Sequence, residues 1–175
     1  MANALWGDVL LFEQTGEARY KKAADKIIDI YLTGQQTDGS FLENYNPLSG
    51  TWSGEKHAEY MSAYALGAMM SYYELTQDEA VKEMLLKMVR YLNSSGSGPA
   101  SIHGTAYAYF ITSDVTFLPM IEKSLDEIIE NQQASSDPIY NGLIYSKPIY
   151  HRPNTFLYTM PYAFEALEAR QGGRR

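Results

Sequence analysis

Apolar side chains recur at helical spacing along most of this chain, and two kinds of helix alternate. Three segments carry one apolar stripe opposite a polar face, which is typical of helices at a protein surface: residues 17–34, 78–92 and 117–132. Four others are apolar or small nearly all round, which predicts helices surrounded by other helices: residues 3–13, 57–74, 101–111 and 155–167. We therefore predict an all-α fold of about seven helices, arranged as alternating inner and outer hairpins.

The alternation runs through residues 1–170, so we predict a single domain followed by a disordered tail at 171–175. The inner-to-outer junctions are short, and in each an aromatic residue precedes a threonine by three positions: Phe12 and Thr15, Tyr73 and Thr76, Tyr109 and Thr112. Thr76 and Glu79 also have the spacing of a capping box that opens an outer helix. The outer-to-inner connections are long, at about residues 37–56, 93–100 and 133–154, and in alternating hairpins they share one rim.

Two stretches carry a resemblance to a known architecture: TGEARYKKAADKIIDIYL at 15–32 and QQTDGSF at 35–41. With the helix alternation, they resemble the α/α-toroid proteins, which have six-hairpin glycosidase-like or terpenoid-cyclase-like folds. The nearer branch is the carbohydrate-active one, with its glycoside hydrolases and polysaccharide lyases. The resemblance implies that substrate binds at the N-terminal ends of the inner helices, the rim that the long loops also indicate. This chain has only three and a half hairpins, so we expect a partial toroid: a fragment of a longer parent chain, an open half, or one completed by self-association.

The composition excludes some classes of binding partner but does not identify a reaction. The formal charge is −7 and no basic run interleaves with aromatic residues, so neither nucleic acid nor an anionic membrane is expected as a partner. Cysteine is absent, which excludes disulfides and thiolate metal sites within the chain. The 15 tyrosines are typical of packing with half-buried hydroxyls, and also of a surface that stacks on sugars. We expect a carbohydrate partner, and the compartment stays open.

The three histidines all fall at or just before the start of a predicted inner helix, and hence on the long-loop rim: His57, His103 and His151. Histidine is suited to proton transfer near neutral pH, although a single histidine is more often a structural residue. Arg152, next to Tyr150 and His151, is suited to hold a uronate carboxylate, because a guanidinium offers two parallel donors. Tyr107 or Tyr60 is then a candidate base for β-elimination, unless these tyrosines line the packed interior.

Glycoside hydrolysis commonly needs two carboxylates, and Glu55 and Glu59 are spaced to share one helix face at the rim. The alternative is that they complement the dipole at a helix N-terminus. Asp38 and Glu43 lie on the same rim, but Asp38 precedes Gly39 in a typical turn sequence. Candidate sugar contacts, which are alternatively anchors of the loops or core residues, are Tyr45, Trp52, Tyr60, Tyr140, Tyr145 and Tyr150.

Motifs for other chemistries are missing: there is no G-x-x-x-x-G-K-[ST], dinucleotide fingerprint, H-E-x-x-H or G-x-S-x-G. We expect neither a cofactor nor a metal. The sequence favours a protein that cleaves a uronate-containing oligo- or polysaccharide by hydrolysis or lyase-type elimination. The alternative is a non-catalytic helical-repeat module that binds a glycan or a protein through its concave face. We interpret QQTDGSF as a structural stop, in which Asp38 and Gly39 turn the chain and Phe41 docks on its neighbour.

Overall fold

Six α-helices and a β-hairpin make up the part of the chain that the structure, a computed structural model, describes: residues 1–56, 59–95 and 98–130, without the side chains of 59–64, 98–101, 128 and 129. The helices are α1 (Ala2–Thr15), α2 (Ala18–Gly34), α3 (Glu59–Thr76), α4 (Glu79–Ser94), α5 (Gly98–Thr112) and α6 (Leu118–Glu130). Strands β1 (Leu42–Asn46) and β2 (Thr51–Lys56) lie between α2 and α3, and a short 3-10 turn, Val115–Phe117, precedes α6. The predicted all-α class is confirmed. The predicted helix at 155–167 and the tail at 171–175 lie outside the described residues.

Residues 1–97 form one compact unit, in which the two predicted inner helices pack together. α1 contacts α3 and α2, and α4 contacts α3 and α2. The outer helices bury the stripes that the periodicity predicts: Ala24, Ile28 and Tyr31 on α2, and Val81, Met84, Leu85, Met88, Val89 and Leu92 on α4. α1 departs from the inner type, because Leu10 and Leu11 are 48% and 43% exposed.

The three inner-to-outer junctions share one hydrogen-bonded turn. The threonine hydroxyl donates to the carbonyl four residues earlier and accepts the N–H two residues later, at Thr15, Thr76 and Thr112. The residue after each threonine is left-handed, with φ of 69° at Gly16, 53° at Gln77 and 56° at Ser113. Its N–H donates to the carbonyl of the aromatic residue that the spacing singled out: Phe12, Tyr73 or Tyr109. The repeated spacing is therefore the signature of one way of ending a helix.

The predicted capping box at Thr76 and Glu79 is wrong. α3 continues to Thr76, and Asp78 is the N-cap of α4, because its carboxylate accepts the N–H of Ala80 at 2.8 Å. Since a left-handed residue separates the threonine from the next helix, the acid that follows is the residue placed to reach the free N–H groups.

Residues 98–175 form the second unit, of which residues 98–130 are described. α5 packs against α6 and the 3-10 turn. Residues 102–108 of α5 are all buried, as expected of an inner helix, whereas α6 buries one stripe that includes Leu118, Ile121 and Leu125. The single domain over 1–170 and the closure into a toroid stay predictions.

Candidate functional site

The QQTDGSF segment forms a tight turn directly after α2. The Gln36 N–H donates to the Ser40 carbonyl at 2.9 Å, and the Gly39 N–H donates to the Gln36 carbonyl at 2.9 Å. The Asp38 carboxylate accepts the Ser40 N–H at 3.1 Å and the Ser40 hydroxyl at 2.7 Å. Gly39 takes a left-handed φ of 91°, which glycine adopts without steric cost. The predicted turn at Asp38 and Gly39 is confirmed.

Lys56, the last residue of β2, donates to Asp38 at 2.6 Å and so ties this turn to the hairpin. The Lys56 hydrogen bond is the main reason why the pKa of Asp38 lies well below its usual range, and the two bonds from Ser40 add to the effect. The same bond raises the pKa of Lys56. A carboxylate that is held ionised is a poor proton donor, so Asp38 acts as a structural residue in this turn.

The turn also docks on α4. Gln35 Nε2 donates to the Met84 carbonyl at 2.8 Å and to the Gly39 carbonyl at 3.2 Å. A Cβ added to Gly39 would overlap the Lys87 carbonyl oxygen, so the turn approaches the α4 backbone more closely than a side chain allows. Phe41 is 2% exposed, which confirms that it docks the segment. The position of the hairpin is therefore set by both outer helices.

A two-stranded antiparallel sheet occupies the predicted long loop at 37–56. Tyr45 pairs with Trp52, and a β-bulge sets Glu43 opposite both Gly54 and Glu55. Gly54 has a φ of 95°, which suits glycine at a bulge of this kind. The connection is thus a hairpin that presents side chains at defined positions.

Four aromatic rings join the hairpin to α2, and we call them the aromatic cluster: Tyr31, Phe41, Tyr45 and Trp52. The Tyr31 and Phe41 rings are nearly perpendicular, with centroids 5.4 Å apart. The Trp52 ring lies 6.1 Å from Tyr31, 5.8 Å from Phe41 and 5.2 Å from Tyr45. Burial raises the pKa of Tyr31 to about 12. Pairs of this geometry contribute ~0.5–1.5 kcal/mol beyond their buried area, so the aromatic cluster anchors the hairpin on α2.

Trp52 is the central ring, and it lies against Gly34 at the end of α2. A Cβ at Gly34 would overlap the indole Nε1 and Cε2 and would approach Cζ2 to 2.8 Å. Within the described part of the chain, the buried Nε1 has no hydrogen-bond partner. The sequence left open whether Trp52 anchors the loop or stacks on sugar. The structure shows an anchor, and a direct contact with sugar stays a prediction.

Tyr45 is the outer ring of the aromatic cluster. It is half-buried, and its hydroxyl has no hydrogen-bond partner among the residues described. Asn44 and Ser53 pair with each other and are exposed on the other face of the sheet, because successive side chains of a strand alternate between the two faces. A partly exposed tyrosine ring offers a sugar an apolar face, and its hydroxyl offers a hydrogen bond. Tyr45 is therefore the predicted platform residue that the hairpin leaves accessible.

The predicted carboxylate pair is divided between two elements. Glu55 is exposed in β2, whereas Glu59 is the first residue of α3 and its side chain is not described. The expectation that they share one helix face is wrong, because the helix begins only after Glu55. Glu43 is exposed in β1 and faces Glu55 at the bulge, where neighbouring strands lie ~4.8 Å apart.

Two predicted catalytic residues, His103 and Tyr107, share a face of α5. They are four residues apart, and each is 6% exposed. Because α5 begins at Gly98, His103 lies in the second turn and not at the helix start that the sequence predicts. Their burial fits the alternative that Tyr107 lines a packed interior, and the catalytic role of both residues stays a prediction.

The remaining predicted site residues, or their side chains, lie outside the described part: His57, Tyr60, Tyr140, Tyr145, Tyr150, His151 and Arg152. Convergence of the three histidines is therefore untested. Within residues 1–56, 59–95 and 98–130, no three side chains of metal-ligating type come together. No helix in the same ranges is long and apolar enough to cross a membrane.

The hairpin and its inner aromatic partner are what the sequence reasoning missed. Asn46 and Gly50 bracket the tip and are the turn signals that point to a hairpin. The Asn46 side chain indeed accepts the N–H of Leu48 at 2.9 Å, and Gly50 has a left-handed φ of 68°. Tyr31 lies on the apolar stripe of α2, and no sequence pattern indicates its contact with Trp52.

Comparison with known proteins gives one distant relative. No protein-family model matches the chain, and no solved structure matches it significantly. The chain is similar to the non-reducing end β-L-arabinofuranosidase of Bifidobacterium longum subsp. longum, with 24% identity over 157 residues. The match covers 74% of this chain but 24% of that protein, so the chain spans about a quarter of the relative's length. The helical fold and this similarity are together consistent with a carbohydrate-active helical protein.

Proposed function

We propose that this chain is part of a carbohydrate-active partial α/α toroid that binds an oligosaccharide at its β-hairpin and cleaves it by glycoside hydrolysis. The observation that carries the proposal is the half-buried Tyr45 ring, which ends an anchored aromatic cluster. Similarity to an enzyme named non-reducing end β-L-arabinofuranosidase supports the carbohydrate class.

The aromatic cluster orders the binding ring before a sugar arrives. Trp52 is held between Gly34 and the rings of Tyr31 and Phe41, and Tyr45 packs on Trp52. A ring that is already ordered loses little side-chain entropy on binding, and tyrosine has few rotatable bonds to fix. The anchored Tyr45 thus suits recognition of a sugar face.

The reaction needs an acid and a second carboxylate. Glu43 and Glu55, on adjacent strands, are the described candidates, and Glu59 is the candidate that the sequence adds. Elimination from a uronate rests instead on Tyr107 as base and on Arg152 as the cation that holds the carboxylate. The uronate and this second reaction remain proposals from the sequence, because Arg152 lies outside the described residues.

Binding is tested with Tyr45→Ala, using Leu48→Ala at the 97% exposed hairpin tip as the matched control. We expect Tyr45→Ala to weaken binding of arabino-oligosaccharides about two- to tenfold, since a stacked ring contributes ~0.5–1.5 kcal/mol. Tyr45→Phe keeps the ring and should retain most of the affinity, and Leu48→Ala should change nothing. Calorimetric titration measures the affinities, and thermal melts confirm that each variant folds. Full affinity in Tyr45→Ala would remove the hairpin from the proposal.

The alternative is a non-catalytic module that binds a glycan, or a protein, through the same domain. It is favoured by the state of Asp38, the acid of the QQTDGSF turn, which is held ionised by Lys56 and Ser40. Tyr45-dependent binding without release of reducing sugar, in wild type and in a Glu55→Gln variant alike, supports the module. Sugar release that is lost in Glu55→Gln supports hydrolysis.

A further inference from the structure

We infer that this chain forms a weak antiparallel dimer, in which the exposed face of α1 packs against the same face of a second copy. The inference goes beyond the proposed function and does not depend on sugar binding at Tyr45. α1 buries Leu5 and Val9 completely, but Leu10 and Leu11 are 48% and 43% exposed. These two leucines belong to a face of α1 that carries no charge.

The exposed face of α1 covers about a third of the helix circumference, since successive residues turn by about 100°. We call it the neutral face, and its residues are Asn3, Ala4, Gly7, Leu10, Leu11 and Gln14. The exposed positions of the outer helices α2 and α4 are mainly charged, and they include Lys22, Lys26, Asp29, Glu83, Lys87 and Arg90. Because helix faces that meet water are typically charged, the neutral face has the composition of a surface that another helix covers.

Four positions of the neutral face form one row along the helix: Asn3, Gly7, Leu10 and Gln14. They are spaced by four, three and four residues, which is the same pattern in either direction along the chain. When a second copy lies antiparallel, Asn3 therefore falls opposite Gln14, and Gly7 falls opposite Leu10. The two amides can hydrogen-bond to each other, and a Cβ at Gly7 would meet nothing within 4 Å, so there is room for the leucine. The row is thus complementary to itself, as an interface between two identical copies requires.

The charges at the ends of α1 favour the antiparallel pairing. α1 has no acidic residue in its first turn, no basic residue in its last turn and no side-chain cap at Met1. An antiparallel second copy places its exposed Glu13 opposite Ala4, beside the free N–H groups of the first turn. The helix dipole favours an acid at that end, and the symmetry makes this contact twice.

Asp8 lies at the edge of the neutral face and works against the dimer. It is half-buried, and its two copies lie on the same side of the pair, ~10 Å apart at the usual separation of packed helix axes. At this distance in water their repulsion raises the Kd about twofold. The next charges along the chain after Glu13 are Glu17 and Arg19, which pair with each other at 2.8 Å. One helix pair buries less than the ~800 Å² per partner of a typical stable interface, so the dimer is weak.

Sedimentation equilibrium of the full 175-residue chain, at about 0.01–1 mM for an interface of this size, tests the dimer. We expect the mean mass to rise with concentration towards that of a dimer. Leu10→Lys should raise the Kd about tenfold or more, because the symmetry buries two charges in place of two leucines. Gly7→Leu should do the same, since its side chain takes the space of Leu10 of the second copy and meets nothing in its own chain. Asp8→Asn should lower the Kd about twofold at ~0.02 M salt.

Leu48→Lys is the matched control, because it adds the same charge at the 97% exposed tip of the hairpin. It should leave the Kd unchanged. Thermal melts of each variant at low concentration confirm that the monomer folds.

Cross-linking reads the direction of the pairing, because the chain contains no cysteine. An equimolar mixture of Asn3→Cys chains and Gln14→Cys chains should form a disulfide-linked dimer under a mild oxidant, since antiparallel pairing brings these two positions together. Neither variant alone should do so, because its two thiols lie ~16 Å apart along the pair.

Three results would overturn the inference. A chain that stays a monomer to about 1 mM leaves the neutral face to another occupant, for example a further helix of a longer protein. A dimer whose Kd is unchanged by both Leu10→Lys and Gly7→Leu, with melts like wild type, uses another face. Cross-linking within each single variant and not in the mixture shows a parallel pair. Each of these results leaves Tyr45-dependent sugar binding untouched, so the proposed function stands or fails separately.

Discussion

Replacing Gly34 by alanine tests how the hairpin is anchored. Gly34 ends α2, and alanine in place of a helical glycine ordinarily stabilises a protein by up to ~1 kcal/mol. Here the added methyl group would take the space of Trp52 Nε1 and Cε2 and lie 2.8 Å from Cζ2. Real side chains do not tolerate such contacts, so either the indole or the end of the helix must move.

The expected loss follows from what Trp52 holds together. Overpacking a filled site costs ~1–3 kcal/mol, and displacing the indole also weakens the ring contacts with Phe41 and Tyr31, at ~0.5–1.5 kcal/mol each. After the gain in helix propensity is subtracted from these losses, we expect a net decrease of ~1–3 kcal/mol in the free energy of unfolding. For a chain of this length that lowers the melting temperature by roughly 2–4 °C per kcal/mol.

Gly7→Ala is the matched control, because a Cβ at Gly7 on α1 meets nothing within 4 Å. It should stabilise the protein by up to ~1 kcal/mol. Thermal and denaturant unfolding give both values, and the same Gly34→Ala change is then made in a Trp52→Ala background. With the indole gone, the penalty should disappear, so the two changes should show strong coupling.

If Gly34→Ala stabilises the protein as much as Gly7→Ala does, Trp52 does not fill the space beside Gly34. If the Gly34→Ala penalty is the same with and without Trp52, the methyl group clashes with something other than the indole. Tryptophan emission in a Trp6→Phe background gives a second readout, and it should shift to the red as Trp52 becomes more exposed.

Three further predictions concern stability. Gln77→Gly and Ser113→Gly should each raise the free energy of unfolding by ~0.5–1 kcal/mol in denaturant titrations, because both residues hold a left-handed φ that favours glycine. A loss of stability would contradict the helix-ending turn that these two junctions share. Tyr72→Phe should cost ~1 kcal/mol in the same assay, since it removes the hydrogen bond to Asp25 at 2.6 Å, and no change would show that the bond is neutral. Burial acts to raise the pKa of Asp25, but hydrogen bonds from Lys21 and Tyr72 outweigh it and lower the pKa from 3.8. The stability that this shift contributes is complete above ~pH 4 and is lost as pH falls through the folded-state pKa of Asp25. Asp25→Asn should therefore weaken the dependence of the free energy of unfolding on pH below ~pH 4. An unchanged pH dependence would contradict this account.

Much of the helical framework follows from local interactions. The apolar positions three and four residues apart place α2, α4 and α6 within a few residues of their observed bounds, because burial of one helix face depends on that spacing alone. The aromatic and threonine spacing marks the helix-ending turns, since both groups bond within four residues of each other. Asp38 and Gly39 form a turn for equally local reasons.

The hairpin could not be predicted from the pattern of apolar and polar residues. Most residues of β1 and β2 are exposed, so no clear alternation of apolar and polar positions marks the strands. Glu55 lies in the hairpin and the helix begins only at Glu59, so the expected pair of carboxylates on one helix face does not form.

The sequence by itself determined the helices, the helix-ending turns and the carbohydrate class as a hypothesis, because each of these depends on residues close together in the chain. The tertiary structure decided which side chains are anchors and which are accessible. Lys56 bonds to Asp38, and Trp52 packs against Gly34. In each case the two residues are 18 positions apart, so no local pattern encodes the contact. Those contacts commit Asp38 to the fold, because its carboxylate is already bonded to Lys56 and Ser40, and they leave the half-buried Tyr45 ring accessible.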